Sequence, residues 1–270
     1  MEPFKQNAVV FDCAGTLVEM YRVTKDLETE KILLDVDNLK LVSESQGRGL
    51  IIMDAPLDMV QQQPPERLLS EFLRKEKIPF SVAYASAGFN SGDISRILLD
   101  DKTTMAEFLE TNKEATALFD DIIYEVFGFI VDSGKDKITH IMSTGGKLFE
   151  NAKDVVKAAQ ENSDVFIASG DDYANLHRVA DKLGIPRENV AGLCNDTKKQ
   201  EIVLDLQSHY PKVIMIGDGL NDILALQAAD FSILISRHNY HTPDELRNSA
   251  DEIVDDLGEC TAILQSYILE

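Results

Sequence analysis

The segment Asn7-Ala8-Val9-Val10-Phe11-Asp12-Cys13-Ala14-Gly15-Thr16-Leu17-Val18 sets a carboxylate and a glycine turn directly after a short apolar run. The device recurs at Val165-Phe166-Ile167-Ala168-Ser169-Gly170-Asp171 and at Lys212-Val213-Ile214-Met215-Ile216-Gly217-Asp218-Gly219-Leu220-Asn221-Asp222. Short runs that are apolar throughout read as buried strands of a parallel sheet. Three strand tips then offer carboxylates, a hydroxyl and glycines together, which is the layout expected for a nucleophile at a strand tip.

From about Asn151 the chain alternates such runs with amphipathic stretches, the pattern of a parallel sheet covered by helices. Val155, Val156 and Ala159 predict a helix over 151–160, and Asp172 to Leu183 predicts another, ended by Gly184 and Pro186. Thr197 to Ser208 carries the stripe Ile202, Val203 and Leu206. A strand at 212–216, a helix at 222–229, a strand at 231–235 and a helix at 257–268 complete an α/β unit.

The segment 21–143 reads differently. Lys40 to Ser43 and Leu50 to Met53 look strand-like about the turn Gln46-Gly47-Arg48-Gly49, and Pro64-Pro65 opens a helical stretch over Glu66 to Lys77. Met105 to Phe119 has helical periodicity, and Tyr124 to Val131 with Lys137 to Met142 flank Asp132-Ser133-Gly134-Lys135-Asp136 like hairpin arms. The expected fold is therefore α/β, a Rossmann-like parallel sheet from 1–20 and 144–270, with an inserted α+β domain at 21–143.

At 270 residues the chain suits two domains. No apolar stretch reaches the ~18 residues of a membrane span, and Met1-Glu2-Pro3-Phe4-Lys5-Gln6 lacks the form of a secretory signal, so a cytoplasmic location is expected. The three cysteines, Cys13, Cys194 and Cys260, show no metal spacing and read as buried thiols. A formal charge of −21 argues against nucleic acid or an anionic membrane as partner. Phosphate can still be bound locally through a metal ion, backbone amides and a few placed cations.

The ordered set Asp12-Cys13-Ala14-Gly15-Thr16, Ser169-Gly170-Asp171, a lysine opening Lys199-Gln200-Glu201-Ile202-Val203, and Gly217-Asp218-Gly219-Leu220-Asn221-Asp222 resembles the haloacid dehalogenase superfamily. Within that superfamily it resembles the phosphorylation domain of P-type ATPases. The resemblance covers the proposed core and implies a phosphohydrolase in which Asp12 attacks phosphorus to form an aspartyl phosphate. Asp12, Asp218 and the carbonyl of Ala14 offer the hard oxygens that magnesium, the expected cofactor, prefers. Asn221 and Asp222 are expected beneath the metal as ligands or supporting groups. Ser169 and the amide of Gly170 would donate to the transferring phosphoryl group, Gly15 and Thr16 would help to bind it, and Lys199 would supply the positive charge, with Lys198 as the alternative. The expected partner is a small phosphorylated substrate.

Ala14 departs from the common phosphatase pattern, which has a second aspartate there to protonate the leaving oxygen. P-type ATPases have threonine, and phosphonoacetaldehyde hydrolases have alanine, which leaves C–P bond cleavage as an alternative. Without that acid, slow turnover is expected, and a regulatory or phosphoaspartyl-binding protein is the second reading. An ion pump and ATP binding are not expected. The insertion point matches the family's first cap class, whose cap selects the substrate. Arg22, Lys25 and Arg48 read as solvated charges, and His140, His177, His209 and the pair His238 and His241 as surface residues. Ser143-Thr144-Gly145-Gly146-Lys147-Leu148 fails as a phosphate loop because Leu148 replaces the needed hydroxyl.

Overall fold

The computed structural model describes residues 7–117, 121–237 and 242–269. The end of the helix predicted up to Phe119, and the pair His238 and His241, lie outside them. Among the described residues the strands are β1 (Asn7–Phe11), β2 (Val18–Asp26), β3 (Lys31–Leu34), β4 (Arg48–Met53), β5 (Phe80–Ala85), β6 (Tyr124–Asp132), β7 (Lys137–Leu148), β8 (Ser163–Ala168), β9 (Val190–Ala191), β10 (Lys212–Gly217), β11 (Phe231–Ile235) and β12 (Glu252–Val254). Two compact units form: residues up to Met20 with those from Lys147 onward, and Tyr21–Gly146.

The first unit is built on a sheet ordered β12-β11-β10-β1-β8-β9, its strands paired in parallel. β1 is buried at every position because both faces of this sheet are covered. Ala8 and Val10 face Val203, Leu206, Ala225, Leu226 and Leu246, which come from the helices Asp196–Gln207, Ile223–Ala228 and Asp244–Arg247. Strand alternation turns Val9 and Phe11 to the opposite face. The helix Tyr173–Leu183 starts on Asp172, whose side chain accepts from the Asn175 amide, and stops on Gly184 at φ 67. Register pairs Phe11 with Ile216 on one side and Ile167 on the other, so the residues after β1, β8 and β10 emerge at one edge. β1 and β10 are neighbours whose chain connections depart in opposite directions, the crevice where open α/β sheets bind ligands.

The second unit carries a sheet ordered β3-β2-β7-β6-β4-β5, with antiparallel ladders at β2–β3, β4–β5, β4–β6 and β6–β7. Its core gathers Ile51, Met53, Phe72, Phe108, Phe127 and Phe129. β6 and β7 form the expected hairpin, and the Ser143 to Leu148 segment is the end of β7 rather than a loop. Lys40 to Ser43 is helical, not extended: it belongs to the helix Asn38–Ser43, capped by the Asp37 side chain, which accepts from the Leu39 and Lys40 amides. The helix expected from Glu66 begins at Leu69, because the Arg67 carbonyl accepts from the Met105 amide and Leu68 bridges to Thr104.

Three charged or ionisable side chains expected at the surface are buried. Lys25 Nζ lies 2.6 Å from Glu107, 2.7 Å from Glu110 and 2.9 Å from Glu30. Arg48 Nε donates to Asp132 Oδ2 at 2.9 Å, and its guanidinium also donates to the Leu41 carbonyl at 2.8 Å. His140 is packed in β7 against the Thr139 hydroxyl at 2.9 Å, and burial holds its pKa below the usual histidine range. The buried charges of Lys25 and Arg48 persist because carboxylates neutralise them. Arg22 stays exposed near Asp35, as expected.

Candidate active site

The tip of β1 is closed by its own backbone. The Asp12 amide donates to the Ile216 carbonyl at 2.9 Å, and the Cys13 carbonyl accepts from Thr16, Leu17 and Val18 at 3.2, 2.9 and 2.9 Å. Gly15 takes a φ of +91°, and a Cβ there would lie 2.1 Å from Asp218 Oδ2. The glycine thus serves both a backbone conformation and a close approach. Thr16 Oγ1 donates to Asp218 Oδ1 at 2.9 Å. Asp222, at the end of the turn Leu220–Asp222, accepts at Oδ2 from the Asp218 and Gly219 amides at 3.1 and 3.0 Å. A Cβ on Gly217 would fall 2.6 Å from that same oxygen.

Gly15→Ala is expected to destabilise the protein by about 1–3 kcal/mol from strained backbone alone, and further because Asp218 must move. Gly184, at φ +67° with open space around it, provides the control. A thermal midpoint that falls no further for Gly15→Ala than for Gly184→Ala would contradict the close packing of Gly15 on Asp218.

Lys199 completes the cluster from the helix Asp196–Gln207, whose N-cap Asn195 accepts from the Lys198 amide. Its buried ammonium donates to Asp12 Oδ1 at 2.5 Å and to Asp222 Oδ1 at 2.6 Å. Lys198 instead lies at the surface, 3.0 Å from Glu201. The Asp12 carboxylate is therefore gripped by an ammonium.

Asp12, Asp218 and Asp222 each present an oxygen within 4.8 Å of the others. One ammonium cannot balance three carboxylates. Burial, then the charge of Asp222, pushes the Asp12 pKa well above the aspartate range against the opposing pull of Lys199. Burial and Asp222 push Asp218 up to about 6. For Lys199, burial works against the charge, but Asp12 and Asp222 outweigh it and hold the pKa above the usual lysine value. Among the described residues the hydrogen bonds to Asp12 and Asp218 engage one oxygen of each, Oδ1 in both cases. A surplus of negative charge with a second oxygen on each carboxylate fits a hard divalent cation.

Ser169 lies just after β8 and is buried, its amide donating to the Ala191 carbonyl at 3.0 Å. Its hydroxyl donates to Asp171 Oδ2 at 2.8 Å, so Asp171 sets the rotamer of this side chain. Gly170 and Asn221 are exposed, and Ala14 is half-buried in a bridge to Val18. Arg237, which follows β11, also reaches this edge: it donates to the Gly15 carbonyl at 2.5 Å. A single arginine after a strand carries no spacing signal, so sequence pattern does not reveal it.

A family model described as "Hydrolase: haloacid dehalogenase-like hydrolase" matches residues 6–230. A "Soluble P-type ATPase-like phosphatase" of Methanocaldococcus jannaschii is 30% identical over 261 residues, covering 92% of each chain. A "Probable copper-importing P-type ATPase A" of Enterococcus hirae is 28% identical over 230 residues, 84% of this chain but only 30% of that protein's length. Among solved structures, the catalytic domain of the CPx-ATPase CopB-B aligns over 96% of this chain and 89% of its own with a TM-score of 0.47 and 16% identity. With the family model spanning most of the sequence, and one relative similar over nearly the whole of both chains, the chain belongs to the haloacid dehalogenase-like hydrolase family.

Proposed function

We propose that this hydrolase is a magnesium-dependent phosphatase that transfers the phosphoryl group of a small substrate to Asp12 and then releases it to water. The supporting observation is the contact of Lys199 with both Asp12 and Asp222 beside Asp218. The phosphatase named as a relative is consistent with it.

A carboxylate oxygen of Asp12 forms the new bond to phosphorus as the ester or anhydride oxygen leaves with its electron pair. Water then attacks the aspartyl phosphate, returning the carboxylate and inorganic phosphate. Lys199 neutralises charge on the nucleophile and on the incoming phosphoryl oxygens, so the two anions can approach. Asp12, Asp218 and the Ala14 carbonyl would hold magnesium, whose positive charge offsets the anionic phosphoryl group when bound. Asp222 keeps Lys199 and the Asp218 loop in place, since its two oxygens already accept from them, and Asn221 is a further supporting group. Ser169 would turn its hydroxyl from Asp171 to the phosphoryl group, joined by the Gly170 amide, while the turn at Gly15 and Thr16 frames the same space.

Ala14 cannot protonate a leaving oxygen. General acid catalysis is worth roughly 10² to 10⁴ in rate, so substrates whose leaving groups are weak bases should turn over faster than alkyl phosphates by a factor in that range. A panel of acyl, aryl and alkyl phosphates, assayed with magnesium and with a chelator, tests both points. Sustained magnesium-dependent release in that order supports the proposal. A single stoichiometric burst favours the second reading, a slow regulatory phosphoaspartyl protein, which the absence of an acid at Ala14 supports.

A further inference from the structure

The strand order β11-β10-β1 puts the end of β11 two strands from the Asp12 turn, with the Asp218 loop between them. Arg237 spans that gap. Its guanidinium donates to the Gly15 carbonyl at 2.5 Å and lies over the Phe149 ring, 4.0 Å from the centroid. A guanidinium stacked on an aromatic face is held in plane and presents its donors in a fixed direction. Phe149 is itself tied to the same turn, its amide donating to the Leu17 carbonyl at 3.0 Å. Ser236, the residue before Arg237, is anchored as well: its amide donates to the Val254 carbonyl at 2.8 Å, and its hydroxyl lies 2.7 Å from that of Thr242.

The contact falls on the one turn whose carbonyls matter most. In a trans peptide the C=O and N–H point in opposite directions. The Ala14–Gly15 peptide is fixed through its N–H, which donates to the Val18 carbonyl at 2.8 Å, and that bond sets the direction of the Ala14 carbonyl. The Gly15–Thr16 peptide is fixed at both ends: Thr16 N–H goes to Cys13 and the Gly15 carbonyl goes to Arg237. Gly15 is the flexible joint between these peptides, at a φ of +91°. Among the described residues Arg237 is the side chain that donates to the Gly15 carbonyl, so releasing it would loosen the joint between the Ala14 carbonyl and Thr16, whose hydroxyl holds the Asp218 carboxylate.

We propose that Arg237 is a positioning residue that fixes the Gly15 carbonyl, and through it the cation-binding oxygens of Asp12, Ala14 and Asp218. Phe149 is the platform that keeps its guanidinium aimed. This rests on the reading of those oxygens as a magnesium site. It adds a residue outside the four sequence segments that define the site.

The test is binding of magnesium alone, by calorimetry and by the shift in thermal midpoint, to the full chain and to the variants Arg237→Met, Arg237→Lys and Phe149→Leu. Groups that orient metal ligands are typically worth 10–100-fold in affinity. Arg237→Met should therefore bind magnesium about tenfold more weakly or worse, Arg237→Lys should recover part of the loss, and Phe149→Leu should lose a few-fold. Equal magnesium affinity in Arg237→Met overturns the proposal, and should that variant not fold, equal affinity in Phe149→Leu does so. If the parent protein binds no magnesium, the metal reading itself fails. Amide exchange at Thr16 and Leu17 then decides the positioning role: faster exchange in Arg237→Met upholds it, and unchanged exchange removes it.

Discussion

Asp12→Asn is expected to lower phosphate release by about 10⁴ to 10⁶-fold and to raise the thermal midpoint of the metal-free protein at pH 7.5. The loss follows from removing the nucleophile, since an amide oxygen does not form the phosphoryl anhydride. The gain follows from the sign of the Asp12 shift. Burial and Asp222 disfavour the anion in the folded state more than Lys199 favours it, so the folded pKa lies above the ordinary value of 3.8. From 3.8 up to that raised value the native state binds more protons than the unfolded chain, and stability falls as pH rises through the window. Asp218, pushed up to about 6, adds a contribution of the same sign. At pH 7.5, above the ordinary value of 3.8, the parent carries this penalty and the amide escapes it. A pKa unit corresponds to about 1.4 kcal/mol, so even a modest part of the shift moves the midpoint by a few degrees for a protein of roughly this size. The difference should shrink toward pH 4, and magnesium should stabilise the parent more than the variant. Calorimetry between pH 4 and 8 reads all three effects. A variant that melts below the parent at pH 7.5 would show that the carboxylate is a net stabiliser and that the surplus-charge account is wrong.

The strands that carry these residues were legible because burial on both faces writes them as unbroken apolar runs, and the polar residues at their tips stand out by contrast. Asp12 and Asp218 stand out because each closes such a run, and Asp222 because it lies one helical turn beyond Asp218. What could not be read was pairing across long sequence separations. Lys25 is matched by Glu107 and Glu110, and Arg48 by Asp132, partners more than eighty positions away that only the fold brings near. Sequence therefore suggests solvated charges where the structure has compensated buried ones. Local chemistry also outweighed residue preference at Lys40 to Ser43, where the Asp37 cap settles a helix despite the extended look of Leu41-Val42. Arg237 escaped for a different reason: its role depends on reaching over the neighbouring strand tip, a property of strand order and not of the residues beside it in the chain.

Lys199→Met should act with the opposite sign on stability and a similar sign on activity. The ammonium is fully buried, 2.5 Å from Asp12 and 2.6 Å from Asp222. Its folded pKa lies above the ordinary lysine value of 10.5, so its contribution is fully present below that pH and is lost only as pH rises through the folded value. At neutral pH the whole of it is therefore at stake. Removing one partner of a buried ion pair typically costs about 3–5 kcal/mol, which corresponds to a drop on the order of 10 °C in the midpoint. Part of the loss can be relieved by protonating Asp12, so the deficit should be larger at pH 8 than at pH 5, and magnesium, which supplies positive charge to the same carboxylates, should restore more stability to the variant than it adds to the parent. Turnover should fall by about 10³-fold or more, the scale set by removing a cation that balances a transferring phosphoryl group. Lys199→Arg is not expected to rescue it, because a planar fork cannot occupy a fully buried position shaped for one ammonium between two oxygens. If Lys199→Met melts with the parent at pH 8, the two carboxylates do not depend on this cation for their charge balance. If it also keeps more than a tenth of the parent's turnover, the charge that tames the nucleophile must come from elsewhere at the sheet edge.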